Sequence, residues 1–174
     1  LRRTEDYVRT KQAAEEVTIT MVGKKGRDFF KARHLPLADV QTGLYDRFTA
    51  EQAVALGEQV AQEYQQGGFD QFVIAYNYFK SAIAQEIRFE TLLPLTPAAA
   101  PAPSEIYLPE YLYEPNRDAL LHAIIPRAIG MQIYTAFLES IASEHGARMT
   151  AMGNATNNCT DMIYNLTLQA NRLR

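Results

Sequence analysis

Three features are scarce or missing in this chain of 174 residues: cysteine pairs, long apolar runs and an excess of basic charge. Because Cys159 is its one cysteine, the chain cannot form an internal disulfide, which suits a reducing compartment. No stretch approaches the roughly 18 consecutive apolar residues of a membrane-spanning helix, so we predict no membrane span. The net charge of -3 argues against general nucleic-acid binding, which usually requires a basic face.

Candidate metal ligands and catalytic groups are also few. No two of His34, His122 and His145 have the helical i, i+4 spacing of a metal site. The run from Gly23 to Gly26 lies between a predicted strand and a predicted helix, as a phosphate-binding loop would. It has neither the Walker A spacing nor the G-x-G-x-x-G pattern, so it favours a structural turn with a solvated basic edge. We therefore predict no catalytic residue, no cofactor and no metal.

Residues 1–95 alternate short β-branched or apolar runs with amphipathic runs. The run from Thr49 to Gln52 is a capping box, and the helix that it opens should end at the pair Gly67 and Gly68. Strands separated by helices indicate an α/β fold with a Rossmann-like, mostly parallel small sheet and flanking helices. The predicted elements are a helix at 1–14, a strand at 17–22, a helix at 26–33, a strand at 39–44, a helix at 49–66 and strands at 69–79 and 85–95.

Composition divides the chain into four predicted parts. Residues 1–95 form the globular domain, and residues 96–104 are an alanine- and proline-rich linker that should be extended and semi-rigid. Residues 105–115 are a tyrosine-rich extended segment of the same domain, and residues 116–174 form one very long coiled-coil helix. Asn116 is a favourable N-cap for that helix, and Pro126 should kink it or cost one backbone hydrogen bond.

The long helix carries a heptad seam whose steps alternate four and three over about five heptads. At about 1.5 Å per residue the helix would be roughly 90 Å long, so the preceding residues cannot cover its apolar stripe. It needs a second long helix or a surrounding sleeve of other subunits. The seam residues are Leu138, Ala142, His145, Met149, Met152, Thr156, Cys159, Ile163, Leu166, Ala170 and Leu173.

Between Met149 and Thr160 the helix is rich in alanine, glycine, asparagine and threonine, where a plain coiled coil would have leucine and charge pairs. Small seam residues allow another backbone to approach closely, and the flanking amides and hydroxyls offer hydrogen bonds. This pattern favours a helix that different partners contact on more than one side. The alternative is a poorly optimised helix that faces solvent. His145 within the seam is expected to be a packed polar residue that sets register.

At this point the residues show a resemblance to a known family. The run from Ala142 to Asn158, continued by 166–168 and 171–174, resembles the C-terminal helix of the gamma subunit of F-type ATP synthase. The run 22–30 resembles a strand, turn and helix of that family, and 69–82 resembles its next strand and turn. The run 111–115 resembles the segment before the long helix, so the resemblance covers essentially the whole chain.

The resemblance implies a central rotor shaft that couples rotation of an ion-driven c-ring to ATP synthesis or hydrolysis in an alpha/beta head. The implied partners are the alpha, beta and epsilon subunits and the c-ring, with no nucleic acid and with membrane contact only through the complex. The implied location is peripheral, on the cytoplasmic face of the bacterial inner membrane, which is favoured over the inner side of a mitochondrion or plastid. The family's N-terminal helix and extreme C-terminus have no counterpart here, so we expect a fragment.

The resemblance also assigns contact residues. Arg148, Met149 and Arg174 would face the catalytic head, and Tyr111, Tyr113 and Glu114 would face the c-ring and epsilon. Two alternatives stay open. One is a small nucleotide-binding α/β protein with a helical oligomerisation tail, and the other is an unrelated coiled-coil scaffold. A scaffold would need a seam that pairs with a copy of itself, and the small and polar seam residues form a poor surface for such pairing.

Overall fold

A computed structural model describes residues 1–41, 43, 48–95, 113, 114 and 116–173. Within them, the elements occur in the predicted order and are of the predicted types, with ends displaced by a few residues. They are α1 (Arg2–Gln12), β1 (Ile19–Val22), α2 (Lys24–Lys31), β2 (Leu37–Gln41), α3 (Ala50–Gln65), β3 (Phe72–Phe79), β4 (Gln85–Leu93) and α4 (Arg117–Arg172). The α/β class and the very long C-terminal helix are therefore confirmed.

The unit β1-α2-β2 is the predicted parallel crossover. β1 and β2 pair in parallel, with Met21 opposite Val40, and α2 covers the connection between them. Gly23 adopts a φ of 101°, which a residue with a side chain rarely adopts, and this ends β1 and starts α2. A small core forms beneath the unit, in which Val8 of α1 packs with Phe30 and Leu35.

The second pair of strands is a hairpin. β3 and β4 are hydrogen-bonded to each other and joined by residues 80–84. A parallel crossover takes about a dozen residues or more, so these strands run antiparallel. The expectation of a mostly parallel sheet thus holds for β1 and β2 and not for β3 and β4. The described residues contain two two-stranded sheets rather than one.

Helix α3 begins as the sequence predicts. The Thr49 hydroxyl accepts a hydrogen bond from the Gln52 backbone N–H at 3.3 Å, and the Gln52 side chain accepts one from the Thr49 N–H at 3.1 Å. The reciprocal pair is a capping box. After Gln66, Gly67 adopts a φ of 75°, so the predicted glycine stop is confirmed.

The main core lies where α3, the end of β4 and the first part of α4 meet. Val60, Ala61, Leu92, Leu93 and Ile129 are buried together. α3 and α4 cross without side chains between them at one point: a Cβ added to Gly57 would lie 2.5 Å from the Gly130 nitrogen. Two facing glycines therefore set how closely these helices approach.

Helix α4 contains 56 residues and would be about 84 Å long at ~1.5 Å per residue. Its N-cap is as predicted, since the Asn116 side chain accepts a hydrogen bond from the Ala119 N–H at 2.8 Å. The helix continues through Pro126, whose nitrogen has no hydrogen to donate. None of the described helices combines the length and the apolar character needed to span a membrane.

The chain separates into two compact units, each with its own contacts. One unit comprises 1–75 and 89–135, and the other comprises 76–88 and 136–174. The predicted linker at 96–104 lies outside the described residues, as does most of the tyrosine-rich segment at 105–115. The four-part division of the chain therefore stays a prediction.

Candidate interaction surface

The last part of α4 has no cover from the described chain. Every residue from 151 to 173, which we call the bare segment, is exposed. Large apolar side chains are included, with Ile163 and Tyr164 both 65% exposed and Leu166 58% exposed. Burying such side chains is worth about 1.5–3 kcal/mol each, so this surface strongly favours a partner.

The apolar residues of the bare segment are not confined to the predicted seam. Met162, Ile163 and Tyr164 are consecutive, and consecutive helical residues lie about 100° apart around the axis. Leu166 and Leu168 extend the apolar surface to roughly two thirds of the circumference, and Asp161, Arg172 and several amide side chains occupy the remaining third. An apolar surface this much wider than the stripe of an ordinary surface helix favours contact with partners on more than one side.

Charge is almost absent from the same segment. Asp161 and Arg172 are the charged residues between 151 and 173, whereas protein surfaces in water carry about 25–35% charged residues. The hydroxyls of three threonines are bonded to the backbone of their own helix. Thr156, Thr160 and Thr167 donate to the carbonyls four residues earlier, at 3.0, 3.1 and 2.8 Å. The surface is therefore smooth, weakly polar and nearly uncharged.

Just before the bare segment, α4 holds strand β3 by hydrogen bonds. The Asn77 N–H donates to the Ser140 hydroxyl at 3.2 Å, and the Ser143 hydroxyl donates to the Asn77 carbonyl at 3.1 Å. The Phe79 N–H donates to the Glu139 carboxylate at 2.8 Å. Ser143 is buried, at 3% exposure. These contacts occupy the edge of β3 with helix side chains in place of another strand.

The hairpin turn after β3 lies directly on the helix. The Thr150 hydroxyl donates to the Ala82 carbonyl at 3.0 Å. A Cβ added to Gly146 would lie 2.8 Å from the Phe79 ring and 3.2 Å from the Ala82 Cα, so no larger residue fits there without movement. Sequence reasoning missed this set of residues. The available signal was small or polar residues at helical spacing, Ser143, Gly146 and Thr150, beside the apolar seam.

The two described residues predicted to face a catalytic head lie next to each other, just before the bare segment. Arg148 forms an ion pair with Glu144 one turn earlier, and a second guanidinium nitrogen lies 3.4 Å from the His145 Nδ1. Met149 is 75% exposed. His145, expected to be packed, is exposed in this structure, because nothing described covers the seam.

The residues predicted to face a c-ring are only partly described. Tyr113 is 47% exposed and Glu114 is exposed. Tyr111 and Arg174 lie outside the described residues. The structure therefore brings Arg148 and Met149 together on one helix, and the other assignments stay predictions.

The turn from Gly23 to Gly26 is explained by packing. Gly26 is buried, and a Cβ there would lie 2.5 Å from the Met21 sulfur. Lys24 and Lys25 are exposed, and Arg27 pairs with Asp28 at 2.8 Å. The close packing of Gly26 against Met21 gives this part of the motif a structural role.

The comparison with protein families decides the identity of the fold. The family model described as ATP synthase matches residues 1–174, and similar chains are ATP synthase gamma chains. The chain belongs to the ATP synthase gamma-chain family. The gamma chain of Anaeromyxobacter dehalogenans strain 2CP-C is 46% identical over 160 residues, which is 92% of this chain and 55% of that protein. The gamma chain of Geobacter metallireducens is 40% identical over 174 residues, 98% of this chain and 58% of that protein.

Two solved structures contain chains that are similar in fold to this chain. The central stalk and c-ring structure of Tetrahymena thermophila mitochondrial ATP synthase contains a chain 28% identical, with a TM-score of 0.57. The match covers 78% of this chain and 58% of that one. The rotor of Euglena gracilis mitochondrial ATP synthase has a chain with a TM-score of 0.59 at 18% identity, covering 98% of this chain and 67% of that one, which shows the fold alone. This chain thus spans somewhat more than half the length of the gamma chains that it matches.

Proposed function

We propose that this chain is part of the central rotor shaft of an F-type ATP synthase. It would couple c-ring rotation, driven by ions, to ATP synthesis or hydrolysis in an alpha/beta head, and would itself hold no catalytic residue. The observation that carries this proposal is the bare segment, which is exposed throughout, apolar over most of its circumference and nearly uncharged. Membership of the gamma-chain family supports it.

The surface of the bare segment suits a helix that turns inside a ring of other subunits. A shaft that turns inside a ring must make contacts and break them at every step, so strong directional contacts would stop it. Apolar contact is non-directional. The few charged groups add angular preference at small cost, because a surface ion pair is worth only about 0–1 kcal/mol.

An asymmetric shaft can act on catalytic sites without touching substrate. Each site would meet a different side of the helix, and its conformations would shift according to the difference in contact energy. The bare segment has a wide apolar surface and a narrower polar face, so the contact energy at each site would change as the helix turns. We propose that Arg148, Met149 and Arg174 contribute to them, and that Arg148 exchanges its intrahelical partner Glu144 for a group on the head.

The remaining assignments follow from the same proposal. The heptad seam would pair with a second helix as an antiparallel coiled coil, which accounts for its exposure here. Tyr111, Tyr113 and Glu114 would contact the c-ring and epsilon. The complex would lie on the cytoplasmic face of a bacterial inner membrane, with this chain peripheral and no nucleic acid involved.

The test is assembly with the catalytic subunits. The gamma protein that contains this chain would be co-expressed with its cognate alpha and beta subunits and purified by size. We expect a complex of alpha, beta and gamma that hydrolyses ATP, while the gamma protein alone does not. A gamma protein that stays monomeric or self-dimerises beside intact alpha and beta would refute the proposal and support a scaffold.

A matched pair of substitutions tests whether the bare segment is the part of α4 that enters the alpha/beta head. Met162 lies in the bare segment and is 63% exposed, while Met131 lies on the same helix outside it and is 46% exposed. Met162→Glu should lower the yield of the complex, because a carboxylate would be buried against the head without a partner. Met131→Glu should leave assembly unchanged. Equal yields would show that the bare segment does not enter the head.

A further inference from the structure

The edge of β3 is satisfied in an unusual way. In a strand, the N–H and C=O of alternate residues point to the same edge, so Asn77 and Phe79 present their backbone groups together. β4 occupies the other edge. Helix side chains take the place of a neighbouring strand, with Ser140 and Ser143 on Asn77 and Glu139 on Phe79. An exposed strand edge can pair with other chains, and a single strand or loop is enough to cover it. Covering the edge therefore does not by itself explain why several side chains of α4 bind it.

The contacts are spread along the helix. Glu139 and Thr150 are eleven positions apart, which corresponds to roughly 16 Å along the axis. Glu139 holds the Phe79 N–H at 2.8 Å, and Thr150 holds the Ala82 carbonyl at 3.0 Å. Between them, Gly146 lets the Phe79 ring lie on the helix backbone. Contacts at both ends of such a span resist sliding as well as twisting of the hairpin on the helix.

We propose that these side chains form a torque latch, which fixes the end of the β3–β4 hairpin to α4 so that both turn as one body. The inference rests on the proposed rotor function and adds a route for torque besides the covalent chain. The latch lies immediately before the bare segment, where a load from the head would enter. Its members are Glu139, Ser140, Ser143 and Thr150 on the helix, and Asn77, Phe79 and Ala82 on the hairpin.

The latch and the bare segment have opposite character on one helix. Latch contacts are directional, and three of the four join a hydroxyl to the backbone, with Ser143 buried from water. Hydrogen bonds withdrawn from solvent are costly to break, because the groups left behind would be buried without partners. The bare segment has smooth, weakly polar contacts instead. In the proposed rotor, the latch would hold the hairpin in place, while the adjacent bare segment would move against the alpha/beta head.

The first test measures the grip itself on the purified gamma protein. The variant combines Glu139→Ala, Ser143→Ala and Thr150→Val, and the matched control is Thr135→Val. The Thr135 hydroxyl donates to the Met131 carbonyl of its own helix at 2.9 Å and is exposed, so the control removes the same group outside the latch. We expect amide exchange at Phe79 to accelerate on the order of tenfold or more in the latch variant and to stay unchanged in the control.

If the combined variant fails to fold, Thr150→Val alone serves, with faster amide exchange in the 80–84 turn as the readout. Unchanged exchange in the folded variant would overturn the proposal, because the contacts would then not hold the hairpin.

The second test measures torque in the assembled enzyme, as ions moved for each ATP hydrolysed. We expect the latch variant to hydrolyse ATP and to lose part of its ion transport, with the Thr135→Val complex unchanged. Coupling equal to that of the control, despite faster exchange at Phe79, would overturn the torque role and leave the rotor proposal standing. A complex that does not form even with the unaltered gamma protein would overturn the rotor proposal and the torque role together, and exchange at Phe79 would still show whether the hairpin is held.

Discussion

The glycine crossing of α3 and α4 gives a prediction that separates packing from helix propensity. At Gly57, an added Cβ would lie 2.4 Å from the Pro126 carbonyl oxygen and 2.5 Å from the Gly130 nitrogen. Both are backbone atoms, so no rotamer change relieves the overlap and the helices must separate. Overpacking of this kind costs about 1–3 kcal/mol. Alanine in place of glycine in a helix contributes about 1 kcal/mol in the opposite direction, so Gly57→Ala tests which effect dominates.

Gly153 is the matched control. It lies in the bare segment of α4, and an added Cβ would meet no atom within 4 Å. Gly153→Ala should therefore show the propensity gain alone. We expect Gly57→Ala to lower the Tm, by a few degrees for each ~1 kcal/mol in a chain of this size, and Gly153→Ala to keep or raise it. Thermal unfolding followed by circular dichroism measures both.

The reasoning also predicts an interaction between the two glycines. A Cβ on Gly130 would lie 2.5 Å from the Ala53 carbonyl oxygen and 2.7 Å from the Val54 Cα, at the same crossing. Once Gly57→Ala has separated the helices, adding Gly130→Ala should cost less than it does alone. If Gly57→Ala melts at or above the Tm of the unaltered chain while Gly153→Ala behaves as expected, the close crossing does not exist in solution.

Three further predictions follow from single contacts. Leu92→Ala should lower the free energy of unfolding by about 2–5 kcal/mol in urea titrations, because Leu92 is 2% exposed in the main core, and a loss below ~1 kcal/mol would contradict that burial. Thr49→Ala should cost about 1 kcal/mol by removing the cap of α3, and Thr49→Ser should restore most of it in the same titration. Glu144→Gln should change the free energy of unfolding by less than ~0.5 kcal/mol, since its pair with Arg148 is exposed, yet it should alter the ATPase rate of the complex if Arg148 exchanges partners there.

Helix α4 combines three surfaces along one continuous element. Its first part packs into a core through Ile129, its middle part grips the hairpin through Glu139 and Ser143, and its last part is bare.

Local features were predictable from the sequence because the interactions that decide them span few residues. The capping box at Thr49, the glycine stop at Gly67 and the N-cap at Asn116 all involve groups within four positions of each other. Short β-branched or apolar runs indicated the strands, and amphipathic runs indicated the helices, since the side chains on one face of a helix recur about every 3.6 residues. The exposed seam of the long helix followed from its length alone.

Only the tertiary structure decided which distant groups meet. The crossing of Gly57 on Gly130 and the contact of Glu139 with Phe79 each join residues 60 or more positions apart, beyond the reach of any local period. The same small residues, glycine and serine, suit turns, close crossings and strand edges equally well, so their type does not reveal their partner. The residues of α4 by themselves determine that it forms a long helix. The segments that pack against α4 determine which parts of its surface are covered and which stay bare.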